Sequence, residues 1–450
     1  MRDWSPERVA EASGARLIAP APSGVGGPES VVIDSREAGA GALFAGLRGE
    51  TQDGGAFAPQ ALAAGAWGVL VAPEHADAAR CAAPGILLAA ADPLAALGAL
   101  ATAWRRELAC SVVGVTGSTG KTSTKDILAA MLSPQRRTVA SPANFNTEIG
   151  LPLALLGAPA GTEAVVLEMA MRGPEQIAEL TRIAEPDAGI IVNVGPVHLE
   201  RLGALEDVAA AKAELIRDMP AGGTAVIPAG EPLLDPHRRD DLNVVTFGEG
   251  GDVRLLEADG ERVVIDAAGA RVELELSFTQ AHNRSNALAA VAAARAIGVQ
   301  PSGRIDVPFS ALRGERIDLP GGVAVINDCY NANPMSMRPA LDELAMSASG
   351  RRVAVLGDML ELGADERAFH AEVGGHASER GVDLLVSVGP LAAAMIDTFD
   401  GEAHAVADAG EAAALVGELL APGDTVLVKG SRGVGLEVVA EALAAAAEAR

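Results

Sequence analysis

The chain has 450 residues, 49% of them apolar and 21% charged, with a formal net charge of -25. That length calls for several cores, roughly two to four domains, and the acidity argues against nucleic acid or an anionic membrane as a partner, since both need basic surface. Cys81, Cys110 and Cys329 are far apart in no metal-like spacing, which suits a reducing cytoplasm, and no apolar stretch reaches the length of a membrane span.

"MRDWSPERVAEASG" reads as a helix, with Ser5 as cap, Pro6 at the first position and Glu7 in the first turn, and not as an apolar leader. "SVVIDSREAGAGALFAGLRG" holds two short strand-like runs around a Gly-rich turn, and "FAPQALAAGAWGVLVAP" reads helix, stop, strand. "DPLAALGALATAWRREL" is an amphipathic helix, and a first boundary follows near residue 108.

The middle section predicts strands at Val112–Thr116, Ala164–Glu168, Gly189–Val194 and Thr224–Pro228, with helices at Thr122–Leu132 and Val208–Arg217. Strands separated by helical patterns imply βαβ units and a mainly parallel sheet. Residues 243–278 carry short strands with Gly turns and predict an antiparallel excursion, followed by the helical segment "NRSNALAAVAAARAIGV". From about residue 314 the alternation resumes: strands Val323–Asn327, Val353–Gly357, Leu384–Val388 and Thr425–Lys429, a helix around Arg338–Met346, and a final helix Leu436–Ala447. The expectation is therefore an α/β chain of three domains, residues 1–108, 109–313 and 314–450.

"VVGVTGSTGKTSTKD" is a β-branched strand, a Gly-rich turn and a helix start. Thr116, Gly117, Ser118, Thr119, Gly120, Lys121, Thr122 and Ser123 can wrap a phosphate with backbone N–H groups, aided by the helix N-terminus. Lys121 can bridge the β- and γ-phosphates, and the Thr122 hydroxyl can ligate Mg²⁺. The strict phosphate-loop spacing asks for glycine at position 115, which is valine here, with glycines at 114 and 117 instead.

Other polar residues sit where apolar strands end. Glu168 closes "VVLEMAM" and can hold Mg²⁺ or pair with Arg172. His198 follows "IIVNVGP", where a lone histidine is more often structural than catalytic. Lys212 lies in "AAAKAEL", by itself an ordinary surface lysine. Asn144, Asn146 and Thr147 suit neutral polar ligand groups or turn chemistry. Asn283 and Asn286 near a helix start suit a ligand or a cap. Asp328, Asn331 and Asn333 after an apolar strand suggest a ligand-facing loop.

"TGSTGKTSTK", "NFNTEIGLP", "LEMAMRG", "NVGPVHLERLG", "AKAEL", "HNRSNALAA", "DCYNANPMSM", "LGDMLELG" and "VKGSRGVGLE", in this order over nearly the whole chain, resemble the Mur ligase family of ATP-dependent amide-bond ligases in peptidoglycan precursor synthesis. The resemblance implies a UDP-binding first domain, a central ATPase and a Rossmann-like third domain acting as a lid. The stretches "NDCYNANPMSM" and "VLGDMLELG", and the absence of a "DNPR" motif, are similar to the members that join D-alanyl-D-alanine to UDP-N-acetylmuramoyl-tripeptide.

On that resemblance ATP and a pair of Mg²⁺ ions are the cofactors. Thr122, Glu168 and His198 become metal ligands, with Lys212 as a fourth once carbamylated, and Lys121, Lys212 and His198 the catalytic candidates. Asn283 and Asn286 are implied adenine contacts, Asp328 a ribose contact and Arg316 a phosphate contact. Ser35, Arg36 and Asp53 would meet the UDP end, and Asn144, Asn146 and Thr147 the muramoyl peptide. Asn331, Asn333, Lys429, Ser431 and Arg432 would line the substrate side of the lid, the last three reaching the acceptor. The UDP segment departs from the family's frequent "DGH": it reads "DGG" at Asp53–Gly55. A cytoplasmic monomer is implied. A phosphate-loop switch that makes no bond, a sister ligase with another amino acid and an inactive paralogue are the competing readings.

Overall fold

A computed structural model of the chain describes residues 1–18 and 24–448. Three sheets follow one another along the sequence. The first contains β1 (Arg16–Leu17), β2 (Ser30–Val32), β3 (Ala42–Ala45), β4 (Gly68–Val71) and β5 (Ile86–Ala89), in the order β1-β5-β4-β3-β2, parallel except at β1. The N-terminal helix is Pro6–Ser13, capped by Ser5 as its composition requires.

The second sheet has ten strands: β6 (Ser111–Thr116), β7 (Thr138–Ala140), β8 (Ala164–Glu168), β9 (Ala188–Ile191), β10 (Thr224–Pro228), β11 (Asn243–Phe247), β12 (Val253–Asp259), β13 (Arg262–Ala267), β14 (Ala270–Leu276) and β15 (Gly303–Ile305). Their order is β15-β14-β13-β12-β11-β10-β9-β6-β8-β7. The expected antiparallel excursion over residues 243–278 is narrower than the sequence suggested. β11 runs parallel to β10, and only the β12–β13 and β13–β14 pairs are antiparallel. The Gly-rich run 248–251 after β11 imitates a hairpin turn, yet β12 emerges parallel to β11 through the single pair Phe247↔Val253. β9 also ends at Ile191, three residues short of the predicted Val194, because Asn193–Gly195 turns to meet the Gly-rich loop.

The third sheet contains β16 (Glu315–Leu319), β17 (Val323–Asn327), β18 (Arg352–Gly357), β19 (Leu384–Val388), β20 (Glu402–Val406) and β21 (Thr425–Lys429), in the order β16-β17-β21-β18-β19-β20, parallel except at β16. β17, β19 and β21 are buried along their length and β18 from Val353 on, which explains why they are mostly Val, Leu, Ile and Ala.

The helix Pro93–Leu108 joins the first two sheets. Asp92 caps it, its Oδ1 accepting from Leu94 N at 2.9 Å. Its Trp104 meets Trp4 edge-on and donates from Nε1 to the Ala158 carbonyl at 3.0 Å, so one apolar core runs from the first domain under the second. Among the described residues no helix is long and apolar enough to cross a membrane.

Candidate active site

β8, β6 and β9 are neighbours in parallel register, with Val115 level with both Glu168 and Ile190. All three end at the same edge. The chain leaves β6 for a neighbour on one side (β8) and reaches the other side (β9) later, so a crevice opens where the strands stop. Thr116–Gly120 lies in it, and Lys121 opens the helix Lys121–Leu132.

Hydrogen bonds shape this loop. Ser118 N donates to Asn193 O at 3.1 Å, Thr119 N to Asn193 Oδ1 at 2.9 Å, and Ser118 Oγ to Gly195 O at 3.0 Å. Gly120 has φ +75, and an added Cβ would stand 2.8 Å from Asn286 Oδ1. Glycine is required there on both counts. Asn286 is therefore buried against the loop, it donates to the buried Asn283 at 3.2 Å, and neither caps the helix, whose cap position is Gln280. Lys121 Nζ donates to Gly117 O at 2.8 Å. Burial lowers its basicity, Glu168 opposes that, and Arg313 adds to it. Ser123 makes no side-chain hydrogen bond among the described residues.

Glu168 is buried and has no ion-pair partner among the described residues; its hydrogen-bond partners are neutral, and Lys121 is near enough to feel its charge. Oε2 accepts from the Thr122 hydroxyl at 2.8 Å, Oε1 from Asn146 Nδ2 at 2.9 Å, and Ser141 Oγ accepts from its backbone N–H. The alternative partner Arg172 is not bonded to it. A buried carboxylate bonded directly only to neutral donors is a place that suits a cation. The oxygen donors Thr122 and Glu168, with the His198 imidazole, fit a hard divalent ion such as Mg²⁺.

Lys212, 2% exposed, forms no ion pair or hydrogen bond among the described residues. Burial, and then the nearby Lys121, hold its amine well below the usual lysine range. This is no surface lysine. His198 has φ 56 and is bonded through Nδ1 to Glu361 of the third domain. Burial lowers its basicity first, with Glu361 opposing and Lys121 and Lys212 adding to the drop.

The third domain repeats the layout. Asp328 follows β17, Lys429 ends β21 with Ser431 just beyond it, and Asp358–Gly363 follows β18, three neighbouring strands. Lys429 is buried and donates to Asp328 Oδ2 at 2.6 Å and to Asn331 O at 3.0 Å. Asp328 lies close enough to His282 to oppose the loss of basicity that burial imposes on that ring, which puts the implied ribose contact one turn from Asn286.

Several expected residues stand elsewhere. Arg316 is exposed on the edge strand and pairs with Asp318 at 2.9 Å; Arg313, unremarked in the sequence, reaches the Thr122 hydroxyl at 3.1 Å and stacks on Tyr330 at 4.0 Å. The linker glycine between the two arginines hides which one turns inward. Asn333 caps the helix Pro334–Ser347 through Ser336 N at 3.0 Å, while Asn331 bonds Ala332 N. Ser431 Oγ accepts from Leu360 N at 3.0 Å and Arg432 is exposed. Asn144 and Thr147 are exposed beside the inward Asn146.

The UDP candidates lie at the C-terminal ends of β2 and β3. Ser35 is half-buried and Arg36 forks onto its neighbour Asp34. Asp53 caps the turn Gly54–Phe57, and His75 Nε2 stands 3.1 Å from its Oδ2. The "DGG" departure has a steric counterpart. A Cβ on Gly55 would lie 2.3 Å from His75 Cδ2, so the imidazole of His75 occupies the space a side chain at 55 would need.

The fold and this crevice define a three-domain nucleotide-binding protein of the phosphate-loop class, with a buried carboxylate under its loop. The chain belongs to the Mur ligase family: the Mur ligase catalytic domain matches residues 29–105, the middle domain 115–294 and the glutamate ligase domain 312–432. It is 36% identical over 425 residues to a UDP-N-acetylmuramoyl-tripeptide–D-alanyl-D-alanine ligase of Synechocystis, with 92% of each chain covered, and 38% identical over 469 residues to that of Mycobacterium tuberculosis, again at 92% of each. Among solved structures it resembles MurF from Acinetobacter baumannii (TM-score 0.87, 28% identity, 98% of this chain and 99% of that one). It also resembles MurF from Thermotoga maritima in complex with ADP (TM-score 0.81, 29% identity, 94% and 98%).

Proposed function

We infer that the protein joins D-alanyl-D-alanine to UDP-N-acetylmuramoyl-tripeptide at the expense of ATP. The observation that carries this is the buried Glu168 bonded to Thr122 under the Gly-rich loop, in a chain that matches ligases of this name over 92% of its length.

A carboxylate does not condense with an amine at neutral pH, because hydroxide is a poor leaving group. The tripeptide carboxylate therefore attacks the γ-phosphorus of ATP, and the bond to the ADP oxygen breaks. An acyl phosphate results. The free amine of D-Ala-D-Ala attacks its carbonyl carbon, a proton leaves the nitrogen, and phosphate departs. Negative charge gathers in both steps. Lys121 and the loop N–H groups not taken by Asn193 would stabilise it, and Arg313, which reaches the Thr122 hydroxyl, would help. Mg²⁺, when bound, would neutralise phosphate charge, held by Thr122, Glu168 and His198. Asn283 and Asn286 would hold the base and Asp328 the ribose, with the third domain excluding water from the labile acyl phosphate. The units 1–108, 109–313 and 314–450 would be the UDP, ATP and lid domains of a cytoplasmic monomer.

Lys212 supports the carbamate reading. A buried amine that is disfavoured as an ammonium keeps the lone pair that CO₂ needs, and Lys121 beside it would favour the anion formed. With ¹³CO₂ a carbamate carbon resonance should appear and vanish in Lys212→Ala, with activity falling roughly 10²-fold or more. A fully active Lys212→Ala protein sinks this part.

The test of the whole reading is phosphate release from ATP with UDP-MurNAc-tripeptide, with and without D-Ala-D-Ala, and the product mass. Release that needs both substrates, with a product heavier by the dipeptide less water, is expected. Release that ignores them returns the chain to the switch class.

A further inference from the structure

His198 and Glu361 come from different domains, and both have left-handed backbones, φ 56 and φ 64. Neither is a glycine, so each conformation costs on the order of 1 kcal/mol. Their side chains meet: His198 Nδ1 is hydrogen-bonded to Glu361 Oε2. Strain on both sides of one contact needs support, and the loop Asp358–Gly363 has it. Asp358 Oδ1 accepts from Leu391 N at 3.0 Å and Ala392 N at 2.7 Å. Met359 N donates to His370 Nε2 at 2.8 Å, and Leu360 N to Ser431 Oγ at 3.0 Å. Met359 and Leu362 are buried in the third domain's core, so the two residues between them, Leu360 and Glu361, are presented outward. The two domains also touch beside the pair. A Cβ on Gly363 would lie 3.4 Å from Glu200 N, and one on Gly195 would lie 1.7 Å from Met335 Sδ.

A carboxylate accepts and does not donate, so Nδ1 carries the proton and Nε2 keeps its lone pair, the form of imidazole a cation can use. We propose that Glu361 is a positioning residue: it sets the tautomer and orientation of His198 from the third domain, so that the cation site becomes complete when that domain is seated on the central one. Closure and cation binding are then linked, and ATP is not activated in water with the lid away. This rests on the reading of His198 as a cation ligand.

The test uses the full chain and Mn²⁺ as the probe, with free Mn²⁺ read by electron paramagnetic resonance in the presence of ADP. Glu361→Ala should weaken Mn²⁺ binding about 10- to 100-fold, lower kcat, and leave KM for the UDP precursor unchanged. Glu361→Gln, which keeps an acceptor oxygen, should lose less. In a His198→Ala background, Glu361→Ala should cost nothing further. Mn²⁺ affinity that is unchanged in Glu361→Ala, or that falls equally with and without His198, overturns the proposal. The side chain of Glu361 is 34% exposed, so the variants should fold, and thermal melting checks it. If the wild-type chain fails to couple phosphate release to D-Ala-D-Ala, the functional reading falls, and the Mn²⁺ comparison still decides the role of Glu361.

Discussion

The two candidate binding regions, one at the Gly-rich loop of the second sheet and one at Ser35–Asp53 of the first, are built differently. At the nucleotide end Glu168 and Lys212 are buried and Lys121 is half-buried, and Asn146, Asn193 and Asn286 hold carboxylate and loop in place. In the region proposed for UDP, Arg36 and Arg48 are exposed and the acids cap turns or pair with neighbours. Charge kept out of water is worth more to chemistry, because nothing has to reorganise when charge develops. Charge left in water costs little and suits a handle that only binds. Substitutions at the first end should therefore change kcat, and those at the second KM.

The largest effect that tests this contrast is at Glu168. Glu168→Gln keeps the shape and Thr122 contact but removes the charge. Steady-state kinetics should show kcat down roughly 10²–10³-fold, with the melting temperature held or raised, since an unpaired buried carboxylate is lost. A normal kcat would break the comparison. A smaller effect is expected at Gly55. Gly55→His collides with His75, and KM for the UDP precursor should rise about tenfold, near 1.4 kcal/mol, at constant kcat. If kcat falls instead, the UDP end is not a mere handle.

The smallest effect belongs to the third domain. His370 is fully buried, its Nε2 accepting from Met359 N, and burial holds its imidazole below the ordinary histidine value. The unfolded chain then binds the proton first as pH falls through about 6.5. Stability is therefore lost from that point down to the depressed folded value and is level below it. Melting curves from pH 7.5 to 5 should fall more steeply for the wild type than for His370→Gln; equal slopes would remove His370 as the cause.

The sequence alone determined the elements and the order of the chemistry. The strands Ala164–Glu168, Thr224–Pro228, Val323–Asn327, Leu384–Val388 and Thr425–Lys429 coincide with their predicted ranges. Buried parallel strands are continuous apolar runs, and such runs are local signals. Glycine, lysine and threonine after β6 are equally local. Only the tertiary structure decided which polar residues converge. Arg313 rather than Arg316 turns to Thr122, Asn333 is used as a cap, and Lys429 is tied to Asp328. Glu361 meets His198, 163 residues away, and Lys212 loses its water. Those facts depend on strand order and on domains seated against one another, and no pattern along a single chain records either.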